Sequence, residues 1–170
     1  MYMKEIFNRR SIRKFTNKPV EKEKVEKMLR AAMQAPSAAN QQPWEFIVVE
    51  GEEALKELAQ TSPYAKPVES SGVTFVLLSD TRTYRVPSGW QQDMSAAAQN
   101  LLLEAVHLDL GGVWLGVSTS QEIADSVSKL YALPDYIVPF ALLAVGYPDG
   151  QENVFVDRYV SEKVHFGKWN

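Results

Sequence analysis

The chain has 170 residues, no cysteine, 45% hydrophobic and 23% charged residues, and a formal net charge of −3. Its length predicts a single domain, residues 1–170, with enough chain to bury a core. The missing cysteines exclude disulfides, thiolate metal sites and cysteine nucleophiles, and the mild acidity gives no general bias toward nucleic acid or anionic membrane.

Met1 to Ile6 lacks the apolar core of a signal peptide. Nowhere do about 18 apolar residues run together, so no membrane span is predicted. A cytoplasmic protein without nucleic-acid or membrane partners is the expectation. Met3, Ile6 and Phe7 have helical spacing and predict a short helix. It leads into Arg9-Arg10-Ser11-Ile12-Arg13-Lys14-Phe15, a basic run with apolar residues on both flanks. Asn17-Lys18-Pro19 breaks the chain. Val25, Met28, Leu29 and Ala32 then mark an amphipathic helix over Glu21–Gln34, which Pro36 ends.

Ala35 to Pro43 is a loop rich in small and amide side chains. Trp44–Val49 reads as a strand, Glu52–Gln60 as a short helix and Thr61–Ser71 as loop or broken helix. Val73–Leu78 is a continuous apolar run, as in a buried strand. Ser88 and Gln91 have the spacing of a capping box. Met94, Ala97, Ala98, Leu101, Leu102 and Ala105 form a stripe of three turns, with Leu103, Val106 and Leu108 on other faces. A helix that apolar all round predicts the central buried one. Gly111-Gly112 is expected to stop it by supplying left-handed conformations. Val113–Val117 reads as a short strand. Thr119 and Glu122 suggest a second capping box, opening a helix that Pro134 ends. Ile137–Val145 is the last strand, and Pro139 predicts an edge position or a bulge in it. Residues 149–170 are polar but carry Phe155, Tyr159, Phe166 and Trp169, so the tail is expected to wrap a surface.

The order predicts an α+β domain in layers. No strand is followed by Gly-x-Gly-x-x-Gly and there is no Gly-x-x-x-x-Gly-Lys-[Ser/Thr], which argues against dinucleotide-binding and P-loop folds.

Arg9, Arg10, Ser11 and Arg13 match the needs of a phosphate monoester: forked, charge-assisted donors and a hydroxyl. A solvated helix end with cations near its last carbonyls explains the same residues. Ser37, Asn40, Gln41 and Gln42 suit the amide edge of a ring, or form an ordinary turn. Gly111 to Gly116 lets backbone approach something flat, or packs strands closely. Asp93, Glu104 and Asp109 read as capping or surface charges. His107 reads as a surface histidine at a helix end. The two histidines lack metal-ligand spacing, and no metal is expected.

Taken together these segments resemble the nitroreductase family of FMN-dependent flavoenzymes, in its short form. Arg9 to Phe15 resembles the family's N-terminal FMN motif. Ala35-Pro36-Ser37-Ala38-Ala39-Asn40-Gln41-Gln42-Pro43-Trp44 resembles its Ala-Pro-Ser…Asn-x-Gln-Pro-Trp loop. Asp93 to Asn100 with the following Leu-Leu-Leu-Glu-Ala resembles its central helix, Gly112 to Gly116 its glycine-rich strand, and Val164-His165-Phe166-Gly167-Lys168-Trp169 its closing motif.

The resemblance implies a layered α+β fold with a central, mostly antiparallel sheet, flanking helices and a long buried central helix. It implies a homodimer with FMN at the interface and the tail reaching across the partner. Arg10 and Ser11 would hold the phosphate, with Arg9 beside it or the ribityl chain. Lys168 and His165 would approach from the tail. Arg13 would face the N1–C2=O edge of the flavin and favour its reduced, anionic form. Pro36, Ser37, Ala38 and Asn40 would serve the site of the second subunit. Trp114, Leu115 and Gly116 would lie near N5 with a backbone N–H. No side chain is then needed as nucleophile or base. NADH or NADPH would donate hydride to FMN, and nitroaromatics, quinones or similar acceptors would take it in ping-pong fashion. A specialised relative (a dehalogenase, a ring oxidase or a flavin-degrading enzyme) and a non-turnover flavin sensor or store are the alternatives. The stretch between Thr61 and Gly89 assigns no flavin contact, and Tyr64, Lys66, Tyr84 and Trp90 remain open candidates. Gly167 departs from the larger polar residue many members carry in the tail.

Overall fold

A computed structural model of the protein describes residues 2–169. Its frame is a four-stranded sheet of β1 (Trp44–Val49), β2 (Val73–Asp80), β3 (Gly111–Gly116) and β4 (Ile137–Gly146). The spatial order is β1-β2-β4-β3 and every neighbouring pair is antiparallel. The helices are α1 (Lys4–Asn8), α2 (Lys22–Met33), α3 (Glu52–Ala59), α4 (Lys66–Glu69), α5 (Trp90–His107) and α6 (Gln121–Leu130).

Strand alternation sends successive side chains of β2 into two different cores. Phe75 and Leu77 pack with α2 and α5, against Met28, Ala32, Met94 and Leu101. Val76 and Leu78 pack with α3, α4 and α6, against Leu55, Leu58, Val68 and Val127. Both faces of β2 are therefore covered, and all its residues are buried. This is why its sequence is apolar without alternation. Ile12 and Phe15 from the basic run join the second core, at 1% and 5% exposure. Burying each is worth roughly 1.5–3 kcal/mol. That anchors a charged segment to the sheet.

The predicted elements fall close to the observed ones, and three details differ from the expectation. The helix α5 is not ended by Gly111-Gly112, which lie within β3. Asp109 takes the left-handed conformation (φ 61°). Asp109 N donates to Val106 O and Leu110 N to Ala105 O, which satisfies the last carbonyls of the helix. Ala132 (φ 48°) ends α6 in the same way, before Pro134 is reached. Neither expected capping box forms: the residues ahead of α5 and α6 are Gly89 and Ser120, without side-chain caps. Of the two readings of Pro139, an edge position or a bulge, the bulge holds, because β4 is an inner strand. The register there skips from Leu77↔Ala141 to Leu78↔Pro139.

Candidate functional site

The basic run leaves α1 and passes along the outer edge of β3. Ser11 makes a parallel bridge with Gly112, and Ile12 N donates to Gly112 O at 3.0 Å. From Arg13 onward the chain bonds elsewhere. Arg13 N and Lys14 N donate to Gln151 Oε1 at 2.7 and 3.1 Å. Asp149 N donates to Lys14 O, and Thr16 N to Tyr147 O. Asn153 adds a double tie: its Oδ1 accepts from Arg10 N and its Nδ2 donates to Leu110 O. The start of the tail thus fixes the backbone that carries the arginines.

The arginine side chains are left without acids. Among the described residues, none of the ion pairs involves Arg9, Arg10 or Arg13. Arg10 donates to Phe7 O at 3.0 Å and to Arg9 O, so it does cap the end of α1. Its Nε, however, is buried with no partner among the described residues. A buried, unsatisfied charged donor is costly in a folded protein unless a ligand meets it. Arg13 is exposed, with its guanidinium 3.3 Å from Ser11 O. Burial, then the nearby positive charges of Arg158 and Arg10, push the Arg9 pKa below the ordinary arginine value. Arg158 is the residue that sequence reading missed. In sequence it is one of three cations in the polar tail, with Lys163 and Lys168, and its proximity to Arg9 is a matter of folding.

The edge of β3 is the second part. Gly112 O faces Ile12, away from β4. By strand parity the backbone groups of Trp114 and Gly116 face the same way. Arg13 has by then turned to Gln151, and among the described residues no other segment pairs with this end of the edge. It borders a cavity of about 650 Å³ lined by Trp114 to Gly116, by Gln60 to Tyr64 and by the start of α6. The Trp114 ring itself turns inward, edge-on to Phe140 at 5.5 Å.

The loop after α2 is the third part. Ala39, Asn40 and Gln42 have φ of 49°, 52° and 45°. Ala38 N donates to Asp93 Oδ1 at 2.8 Å, and Gln41 Nε2 to Asp93 Oδ2 at 2.5 Å. Gln41 Oε1 accepts from Arg85 N and Val86 N, both at 2.9 Å. Two sequence readings are corrected here. Asp93 is no surface charge but is 4% exposed, and Gln41 is spent on internal bonds at 5% exposure. Ser37 and Ala38 are half-buried, and Pro36 and Asn40 are exposed. The Ser37 Oγ accepts from Gln42 N.

Of the open candidates, Tyr64 lines the cavity and is 74% exposed, and Lys66 starts α4. Tyr84 stacks on Trp90 and shares a hydrogen bond with Ser79, so both rings belong to the packing at the start of α5. In the tail, His165 stacks on Trp169 at 4.2 Å, and Lys168 is exposed with its N–H on Phe166 O. These contacts are local to the tail and do not of themselves bring either residue to the basic run. Among the described residues no helix is long and apolar enough to cross a membrane.

Comparison with known proteins agrees with this geometry. Residues 6–71 and 70–147 match the Nitroreductase family. A provisionally named NADH dehydrogenase/NAD(P)H nitroreductase of Archaeoglobus fulgidus is 37% identical, covering 98% of this chain and 98% of its own. The crystal structure of a provisionally named NADH oxidase from Clostridium acetobutylicum superposes with a TM-score of 0.95 at 48% identity, over 97% of this chain and 99% of that one. A provisionally named nitroreductase from Desulfovibrio desulfuricans, solved in complex with FMN, gives 0.84 at 31% identity, over 99% and 97% of the two chains. With its antiparallel sheet, its long central helix and its cluster of unpaired arginines at the edge of β3, the chain belongs to the nitroreductase family.

Proposed function

We propose that this protein is an FMN-dependent NAD(P)H oxidoreductase acting on nitroaromatic, quinone or similar acceptors. The carrying observation is the buried Nε of Arg10, which has no hydrogen-bond partner among the described residues, next to Arg9, whose pKa is lowered by burial and then by the positive charges of Arg158 and Arg10. It stands one bridged residue from the open end of β3. That combination fits a ligand with a phosphate at one end and a flat ring at the other. FMN, borne by the Desulfovibrio relative, is such a ligand.

In this reading Arg9, Arg10, Ser11 and Arg158 neutralise and orient the phosphate. Arg13, exposed just beyond them, offers positive charge to the ring. The outward backbone N–H groups of β3 supply a donor beside the ring without requiring a side chain. When bound, FMN supplies the hydride chemistry between nicotinamide and acceptor. The cavity walled by Gln60 to Tyr64 and the start of α6 then receives the acceptor. Its hydroxyl, amide and aromatic lining suits polar aromatic molecules.

The functional unit is a homodimer of single-domain chains. Tyr2, Phe7 and Phe155 form an aromatic cluster at the surface, and Phe166 and Trp169 are each 87% exposed. So much exposed aromatic surface calls for a covering partner. In the dimer the Pro36–Asn40 loop serves the other subunit's site, and His165 and Lys168 reach it through the tail.

The test is spectroscopic. The purified protein is expected to be yellow, or to become so with FMN. NADH or NADPH without oxygen should bleach the flavin band, and a quinone or nitroaromatic should restore it. A protein that takes up FMN but is not reduced by either nucleotide would be a flavin sensor or store. One that cannot be loaded with FMN would overturn the reading.

A further inference from the structure

We propose that Asp93 is a positioning residue for the flavin site, acting through the loop that it locks. The inference rests on the FMN reading above and adds a residue that never faces the ligand. Its basis is a mismatch between local preference and observed conformation. Three of the residues from 39 to 42 have a left-handed backbone, and none of them is glycine. Side chains with a Cβ disfavour that region, and such strain persists only where the surroundings over-determine it.

The buried fastening here is one carboxylate, beside the exposed bonds of Gln42 N to Ser37 Oγ and of Arg85 to Ala39 O. Asp93 sits in the first turn of α5 and uses both oxygens on the loop, one on Ala38 N–H and the other on the Gln41 amide. Among the described residues no cation forms an ion pair with it. A buried carboxylate held only by neutral donors is disfavoured unless every bond is made. The charge therefore demands that both donors stay in place. Gln41 passes the constraint on to Arg85 N and Val86 N, which fastens the loop at a third point. The outcome is a rigid display of Ser37, Ala38 and Asn40 at the surface, while the groups that hold them are hidden. A plain turn between a helix and a strand needs no such lock. A loop that must meet the ring edge of a ligand without reorganising does.

The test compares FMN with riboflavin, which has the ring but no phosphate. Asp93→Asn keeps the shape but turns one acceptor into a donor, so Ala38 N–H or the Gln41 amide loses its partner. FMN and riboflavin affinities should both fall by about tenfold or more, and by the same factor, because the loop serves the ring. The double variant Asp93→Asn with Gln41→Glu reverses the donor and acceptor between the two side chains. It keeps the bond to Ala38 N–H and the acceptor for Arg85 and Val86, and its one cost is that a carboxylate oxygen faces Val86 O where the amide donated at 3.3 Å. It should recover most of both affinities.

Thermal unfolding of the flavin-free proteins separates positioning from plain stability. A single variant that unfolds more easily but binds both flavins like the wild type would overturn the proposal. So would a folded double variant that stays as weak as the single one, or a pair of variants that both fail to fold. If the single variant fails to fold and the double variant folds and binds, the lock is supported. If the wild type binds neither flavin, the FMN reading itself has failed, a result distinct from any of these.

Discussion

A β-carbon built on Gly111 would stand 2.5 Å from Ile12 Cγ1 and 2.7 Å from Ile12 Cβ. Ile12 is 1% exposed and sits between Arg10-Ser11 and Arg13, so this contact sets how closely the basic run lies against β3. Gly111→Ala should cost about 1–3 kcal/mol by overpacking, because a branched Cβ cannot swing aside. It should also weaken FMN binding by displacing Arg9, Arg10 and Ser11. Gly112→Ala meets mainly the flexible end of Leu102, at 2.8 Å, and should cost less. Urea unfolding of the two variants checks the order. A Gly111→Ala protein as stable as the wild type would refute the close approach.

Arg10→Ala removes the donor that is buried without a partner. FMN affinity should drop at least about tenfold, one charge-assisted bond of roughly 1.4 kcal/mol or more. Riboflavin affinity should hardly change. Arg158→Ala should act in the same direction but more weakly, since Arg158 is exposed and screened by salt. Fluorescence titrations with both flavins measure this. Equal losses for FMN and riboflavin would mean that the phosphate lies elsewhere.

Arg13→Ala should show the opposite balance. Arg13 is exposed and bonded only loosely to Ser11 O. Its charge is proposed to favour uptake of negative charge by the ring. Stopped-flow reduction by NADH or NADPH should slow by more than FMN affinity falls. If the two effects match, Arg13 is one more phosphate ligand.

His107 and Glu5 give a prediction in pH. Nδ1 of His107 lies 3.0 Å from Glu5 Oε1 and joins α5 to α1. The hydrogen bond to Glu5, then the charge of Glu104, raises the His107 pKa, and the bond to His107 lowers that of Glu5. A raised histidine stabilises the fold below its unfolded value, about 6.5, and loses that effect as pH rises through the folded value. A lowered glutamate stabilises above its unfolded value, about 4.3, and loses that effect as pH falls through the folded value. The pair should therefore help between about pH 4.3 and 6.5 and fade on either side. His107→Gln should remove this bump from a profile of thermal stability against pH, with only a small change because both groups face solvent. NMR titration should find His107 above the ordinary histidine value. An unshifted histidine would mean that the pair does not persist in solution.

The sequence by itself determined the elements and most of the motif residues, because those depend on periodicity and on local chemistry. Trp44 to Val49 reads as a strand and is one, and the apolar run from Val73 reads as buried and is covered on both faces. The arginines stand out because a basic run with apolar flanks is unusual in any fold. Tertiary structure alone decided how those pieces act. Asp93 looks like a surface charge in the first turn of a helix, and only the approach of a loop 52 positions away makes it a buried lock. Gly111 and Gly112 look like a helix stop, yet Asp109 supplies the left-handed residue and the glycines make room for Ile12 and Leu102. Arg158 looks like any cation of a polar tail until the tail folds beside Arg9. Periodicity is a property of neighbours along the chain. Burial, unpaired donors and open strand edges are properties of neighbours in space, which packing brings together from distant parts of the sequence.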